Sequence, residues 1–441
     1  MRIDEIRLKN FRKFEDIAVS FHPEFNLLVG ENGSGKTAIL EALAIVFEGL
    51  VNQYKLLLEY NAERDRDKEE HAYWIYLNNI DVDQSRFTCN NRRIISRDGL
   101  RYIDQNFPHE LLVEISAQDE TNATCASCLI VSPEGLGYRW KKENENEQIH
   151  LTKKSNSVVY PCFVYYNISR AKKLEELPTQ VRLPLSTDGY ADCWTGEFSD
   201  VLLKEWFLNR EITAMQEGAI PELETVRKAI IQAIPGCHNV QFRASYNSLI
   251  IEMKDGTILP FHYLSDGYRN MLSVVADMAH RMARLNPHLG DDVLAETPGV
   301  VLIDELDLHL HPKWQRIIAD KLRKIFPRVQ FIATTHSPQI INHVKPECIR
   351  ILHDGENGFE CVTPGESYGQ TVDAILSGIL GVKTARPDEI DKKLDLLFEK
   401  IERMQLEDAK NDLKKLKEEI VSDPMLLKAE HLIRWKETRQ P

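Results

Sequence analysis

The stretch FNLLVGENGSGKTAILEALAIVF, residues 25–47, constrains this chain more than any other. It reads as an apolar strand, a glycine-rich turn and an apolar helix. Gly30, Gly35, Lys36 and Thr37 fill the fixed positions of G-x-x-x-x-G-K-[ST], with Glu31, Asn32, Gly33 and Ser34 between them. Glycines let backbone N–H groups converge on phosphate oxygens, and the lysine at this spacing reaches β- and γ-phosphates. Thr37 offers a hydroxyl to Mg²⁺. A bare match to the pattern arises by chance, but one that leaves an apolar strand and opens an apolar helix rarely does.

Far downstream, GVVLIDELDLHLHP begins with four apolar residues, Val300 to Ile303, that predict a buried parallel strand. Asp304 and Glu305 leave its carboxyl end, where open α/β sheets place their ligands. Beside a phosphate loop, Asp304 suits holding magnesium through water, and Glu305 suits orienting and deprotonating an attacking water. Pro312 fits the first position of a helix whose apolar face carries Trp314, Ile317, Ile318, Leu322 and Ile325. A second buried strand, VQFIATT, delivers His336, placed to hydrogen-bond a γ-phosphate oxygen. In LSDGYRN, residues 264–270, Ser265 precedes an apolar-periodic run and fits a helix cap whose positive end faces an anion.

The set GENGSGKT, LSDGYRN, LIDELDLHLHP and TTHSP, in that order, resembles ATP-binding-cassette ATPases of the RecF/SMC-like, non-transporter branch. The N-terminal IRLKNFRKF resembles that branch too. The resemblance implies an α/β P-loop NTPase head of ABC/SMC-like type that binds ATP with Mg²⁺, hydrolyses it, and pairs head-to-tail with a second copy. By matching position, Ser265 and Gly267 would touch nucleotide held by the partner head, and Asp307 would be the D-loop residue of the same interface. The resemblance also gives His336 a γ-phosphate contact and sets Asn10 and Arg12 near the nucleotide. Asp266 departs from the pattern, because many relatives carry a small residue there. Arg269, three residues on, is its expected counter-charge.

The stretch from Lys36 to Leu264 is longer than a bare cassette needs. It lacks sustained heptads and carries seven prolines between Pro108 and Pro235, so a compact α/β lobe is expected in place of a coiled coil. The expected division is a head built from 1–60 and 245–355, an insertion lobe at 61–244 and a helical region at 356–441 for self-association or partner docking. Within the lobe lie a charged loop near 61–71, an acidic loop at 143–147, a helical pattern around DVLLKEWF and a hairpin through Asp255-Gly256. PCFVYYNISRAKK resembles the strand that leads to the Q-loop, with Asn167 or Arg170 standing where glutamine is usual. In the tail, Leu394, Leu397, Phe398, Ile401 and Met404, then Ala409, Leu413, Leu416 and Ile420, predict two amphipathic helices in a hairpin.

The net charge of −13 disfavours indiscriminate binding to a phosphate backbone, although Arg92, Arg93, Arg97 and Arg101 crowd one short stretch. The eight scattered cysteines suit reduced thiols, and the lone CxxC at Cys125 and Cys128 lacks the second pair of a structural zinc site. With neither a long apolar run nor an apolar leader, a cytoplasmic protein away from membranes is expected. No nuclease constellation stands out. The YYxxxR-like stretch, TDGYADCW and SYGQTVDAIL resemble the PtuA-type ATPases of Septu anti-phage systems and their retron-associated relatives. That resemblance implies a separate HNH-type nuclease partner, with any contact to DNA made together with it. The other class weighed is a repair ATPase that acts on DNA directly; a nucleotide-gated scaffold is disfavoured by Glu305, and a transporter subunit by the NFRKF stretch.

Overall fold

The computed structural model describes residues 2–45, 47, 159–168, 189–191, 193, 200–355, 358–382, 386–420 and 423–438, and the backbone alone of five strands between 94 and 142 and of residues 200–202. Two compact units result, Met1–Gln370 and Thr371–Pro441. The charged loop near 61–71, the acidic loop at 143–147, Arg92, Arg93 and Arg170 lie outside the described residues, as do the side chains of Arg97, Arg101, Cys125 and Cys128.

The first unit begins with β1 (Arg2–Phe11), β2 (Phe14–Ser20) and β3 (Phe25–Gly30). There follow β4 (Ile94–Arg97), β5 (Leu100–Ile103), β6 (Leu111–Gln118), β7 (Thr124–Ser132), β8 (Gly135–Lys142) and β9 (Cys162–Tyr166). Next come β10 (Cys237–Arg243), β11 (Ser248–Met253), β12 (Ile258–Pro260), β13 (Gly299–Ile303), β14 (Val329–Thr334), β15 (Ile349–Gly355) and β16 (Gly358–Val362). A six-stranded sheet in the order β16-β15-β3-β14-β13-β9 forms its centre. Its five strands from β15 to β9 are parallel, and β16 closes one edge antiparallel to β15. Every residue of β3, β9, β13 and β14 is buried, which explains their unbroken apolar runs.

A second sheet has the order β2-β1-β6-β7-β8, and β10-β11-β12 form a third. Within the 61–244 stretch, β6–β8 extend the N-terminal sheet and β9 is an edge of the central one. Strand edges left unpaired expose backbone polar groups, so β1 and β13 each gain a partner from this stretch. Helix α1 (residues 36–45) follows the phosphate loop. Helices α2 (Asp200–Glu217), α3 (Pro221–Ala233) and α4 (Asp266–Leu285) come next in the chain. DVLLKEWF lies on α2, and the Asp255-Gly256 turn joins β11 to β12, both as the sequence predicts. The single helix predicted from Pro312 is instead two, Pro312–Gln315 and Ile318–Ile325, with Trp314, Ile318, Leu322 and Ile325 buried and Ile317 half-buried at the break. Among the described cysteines, Cys162, Cys193, Cys237, Cys348 and Cys361 are all free thiols.

The second unit opens with a short helix at Val372–Gly378, followed by three helices, Asp388–Glu402, Leu406–Glu419 and Pro424–Glu437. They share one core that includes Leu394, Leu397, Ile401, Ala409, Leu413, Leu416, Leu426, Ala429 and Ile433. The predicted hairpin is thus a three-helix bundle. Its third helix is announced by Asp423-Pro424: the Asp423 carboxylate accepts from the Met425 N–H, and Pro424 takes the first turn. Met404 lies not on the apolar face but in the turn after the first helix, with φ +62° and 44% exposure. Strand β16 (Gly358–Val362) falls inside the stretch expected to be helical from 356 onward, and the next helix begins at Val372.

Candidate functional site

Parallel order brings three strand ends together. β14 lies between β3 and β13, so the loop after β3, His336 after β14 and Asp304-Glu305 after β13 share the carboxyl edge of the sheet. Within the loop, Gly30, Gly33 and Gly35 have φ of +154°, +79° and +95°, and the two last values lie where side chains are strained. Space is as tight as conformation. A Cβ on Gly35 would come 2.3 Å from the Phe14 ring, and one on Gly30 would come 2.4 Å from the Leu352 carbonyl. Glu31, Asn32 and Gly33 are exposed at the tip while Ser34 is buried beneath.

Lys36 is buried at the start of α1, and its Nζ donates to the carbonyls of Gly30 and Glu31, each at 2.9 Å. Burial pushes its pKa down, and Asp304, Glu305 and Asp307 pull it back up. Thr37 Oγ1 donates to Asp304 Oδ2 at 3.0 Å. Asp304 is 2% exposed, and Thr334 Oγ1 donates to its Oδ1 at 2.6 Å. The same Thr334 hydroxyl accepts from the Glu305 N–H at 2.7 Å, so one threonine holds both acidic residues. Glu305 has φ +51°, a left-handed value unusual for a side-chain-bearing residue and a mark of backbone held against its preference. The cluster of hydroxyl and carboxylate oxygens at Thr37 and Asp304 is the hard donor set that suits Mg²⁺.

Asp307 Oδ1 accepts from Thr335 Oγ1 at 2.5 Å and from the His336 N–H at 3.3 Å, which ties the turn after β13 to the end of β14. His336 is half-buried, and burial followed by the Lys36 charge pushes its pKa down, against the pull of the nearby carboxylates. Arg12 occupies the two-residue turn between β1 and β2 with φ +53° and pairs with Glu41 on α1. Asn10, also left-handed at φ +55°, precedes that turn. Lys13 beside Arg12 donates from Nζ to the Gly33 carbonyl and sits 3.6 Å from the centre of the Phe359 ring. Asn167 directly follows β9, and the Tyr166 carbonyl accepts from the Asp304 N–H at 2.8 Å.

Ser265 caps α4, accepting from the Tyr268 N–H at 3.4 Å, and is exposed. Asp266 pairs with Arg269 as the spacing predicts. Gly267 is buried, and a Cβ there would come 2.0 Å from the His309 carbonyl oxygen. That glycine therefore lets α4 pack directly on the backbone of the turn that carries Asp307. The loop, Asp304, Glu305, Asp307 and His336 thus converge in one place, with Arg12 beside α1. Ser265 stands at the start of α4. Sequence reading missed Thr334, Thr335 and Lys13. For the two threonines the available signal was TT directly before His336, and for Lys13 the turn inside NFRKF.

A family model described as "AAA ATPase domain" matches residues 1–182, and a second, described as "AAA domain, putative AbiEii toxin, Type IV TA system", matches residues 169–342. The chain is an ATPase. Of the curated relatives, this ATPase is similar to the "Retron Vc95 probable ATPase" of Vibrio cholerae, at 23% identity over 82% of the chain and 76% of that protein. It is also similar to the "Septu protein PtuA" of Bacillus thuringiensis, at 24% identity over 89% of each. Among solved structures, the SMC head domain from Thermotoga maritima matches 82% of the ATPase and 99% of its own chain, with 13% identity and a TM-score of 0.43. No described helix of the ATPase is long and apolar enough to cross a membrane.

Proposed function

We propose that this ATPase binds ATP with Mg²⁺ at the loop 30–37, closes head-to-tail with a second copy, and controls a separate HNH-type nuclease in bacterial anti-phage defence. The observation that carries the reading is the Thr37–Asp304–Thr334–Glu305 network at the carboxyl edge of the central sheet. Similarity to a Septu PtuA and to a retron ATPase over most of the chain supports the defence setting.

In this reading the loop N–H groups and Lys36 hold the β- and γ-phosphates, releasing Lys36 from the Gly30 and Glu31 carbonyls. Thr37 and Asp304 would hold the metal, which would supply positive charge to neutralise the phosphates. Glu305 accepts the proton of the attacking water, its backbone pinned by Thr334 so that the carboxylate faces one direction. His336, kept neutral, hydrogen-bonds a γ-phosphate oxygen. Arg12 stands near the nucleotide beyond Glu41. Ser265 and the first turn of α4, with Gly267 and Asp307 behind them, face the nucleotide of the partner head. The Asp266–Arg269 pair cancels the carboxylate that would otherwise repel a γ-phosphate.

Affinity purification of the tagged protein from its native host with neighbouring genes intact, with and without ATP, tests the whole reading. Mass spectrometry should find an HNH-type nuclease at fixed stoichiometry, and mass photometry should find ATP-dependent dimers or multiples of them. Recovery with chromosomal DNA and repair factors, and no such nuclease, would replace the defence reading with direct action on DNA.

A further inference from the structure

A chain of buried polar groups on α4 has no part in the phosphate contacts. Asp277 is 2% exposed and Arg281 is 7% exposed. A buried ion pair returns its desolvation cost only when further hydrogen bonds satisfy both groups. Here Arg281 Nε donates to Asp277 Oδ2 at 2.8 Å, and its guanidinium also donates to the Ala191 and Gly189 carbonyls at 2.6 and 3.2 Å. Asp277 Oδ2 accepts in addition from the Tyr166 hydroxyl at 2.6 Å. Burial and the Asp277 charge push the Tyr166 phenol well above its ordinary pKa, so it stays protonated and donates.

Tyr166 ends β9, and its carbonyl accepts the Asp304 N–H at 2.8 Å. One residue is thus bonded by its side chain to the helix capped by Ser265 and by its main chain to the backbone N–H of Asp304, whose carboxylate faces Thr37. A phenylalanine would fill nearly the same space without the hydrogen bond to Asp277.

We infer that Tyr166 is a positioning residue that couples α4 to Asp304, so that engagement of the α4 end by the partner head sets the metal-binding carboxylate of the same chain. This rests on the composite-site reading above. Asp277, aligned by Arg281, is the fixed point to which the Tyr166 hydroxyl is tied.

Tyr166→Phe in the 441-residue chain is the test, with Asp277→Asn as the second variant. We expect nucleotide affinity to stay within about twofold, since no phosphate contact is lost, while kcat falls about tenfold, the scale of one buried hydrogen bond expressed in the transition state. The Mg²⁺ concentration for half-maximal rate should rise, a change that loss of core packing alone would not produce. Parental kcat and Mg²⁺ dependence in Tyr166→Phe, whatever its melting temperature, would overturn the coupling. Ser265→Arg assayed in parallel separates the two ideas. If it keeps parental turnover, the composite site itself fails; if it loses turnover while Tyr166→Phe does not, only the coupling fails.

Discussion

Thr37 and Asp304 are 267 residues apart in the chain, yet the threonine hydroxyl lies 3.0 Å from the aspartate carboxylate. The bond joins the two halves of the candidate site across β14, and Thr334 on that middle strand completes it from the other side.

Lys36→Ala removes the only cation within the loop itself. Nucleotide affinity, followed with a fluorescent ATP analogue, should weaken by at least about tenfold, the scale of a hydrogen bond to a charged group. Unchanged affinity would remove this loop from the nucleotide site.

Glu305→Gln keeps the shape of the side chain and discards its basicity. Binding should persist while turnover falls about 10²–10⁴-fold. ATP-dependent dimers should then accumulate in mass photometry. Parental turnover in this variant would assign proton acceptance to another residue.

Thr334→Val deletes the hydroxyl that serves both Asp304 and the Glu305 backbone. Buried Asp304 and half-buried Glu305 lose a bond at once, so the melting temperature should drop and kcat should fall by roughly tenfold or more. Calorimetry and steady-state hydrolysis together check it; a variant with both values intact would mean that Thr334 does not help to position Asp304.

Ser265→Arg leaves the loop of its own chain untouched. Monomeric binding of ATP should be unaffected, whereas dimer formation and hydrolysis should both decline. A variant that no longer binds nucleotide as a monomer would put Ser265 in its own chain's site.

His336 gives a pH signature. Its pKa in the folded chain lies below the ordinary 6.5, first through burial and then through Lys36. The unfolded chain therefore binds the proton more readily, and stability falls as pH drops through 6.5 toward the folded value, while above 6.5 this group adds no pH dependence. Melting temperatures measured across that window should slope less in His336→Gln than in the parent. Equal slopes would trace the titration to a different group.

Elements whose signal is local were legible before any coordinates. The phosphate loop, the apolar strand into Asp304-Glu305 and the serine at the α4 cap each carry their reason within a few residues. So does the Asp266–Arg269 pair, since helical spacing alone brings the two together. Elements whose boundaries depend on neighbours were misplaced. The helix after Pro312 breaks at Ile317, and Met404 turns out of the first bundle helix, because packing partners and not periodicity decide where a helix stops. The third bundle helix was missed although Asp423-Pro424 marks its start.

By itself, then, the sequence determined the chemistry on offer: a loop whose glycines and lysine suit phosphate, two carboxylates at a strand end, and a histidine one strand away. Tertiary structure alone decided which groups meet. The order β14-β13-β9 put Thr334 against the Asp304 carboxylate and the Glu305 N–H and set Tyr166 beside Asp304, while packing of α4 put Gly267 against His309. Such contacts join residues far apart in the chain, and the period of a strand or helix says which face a residue takes but not which partner lies across it.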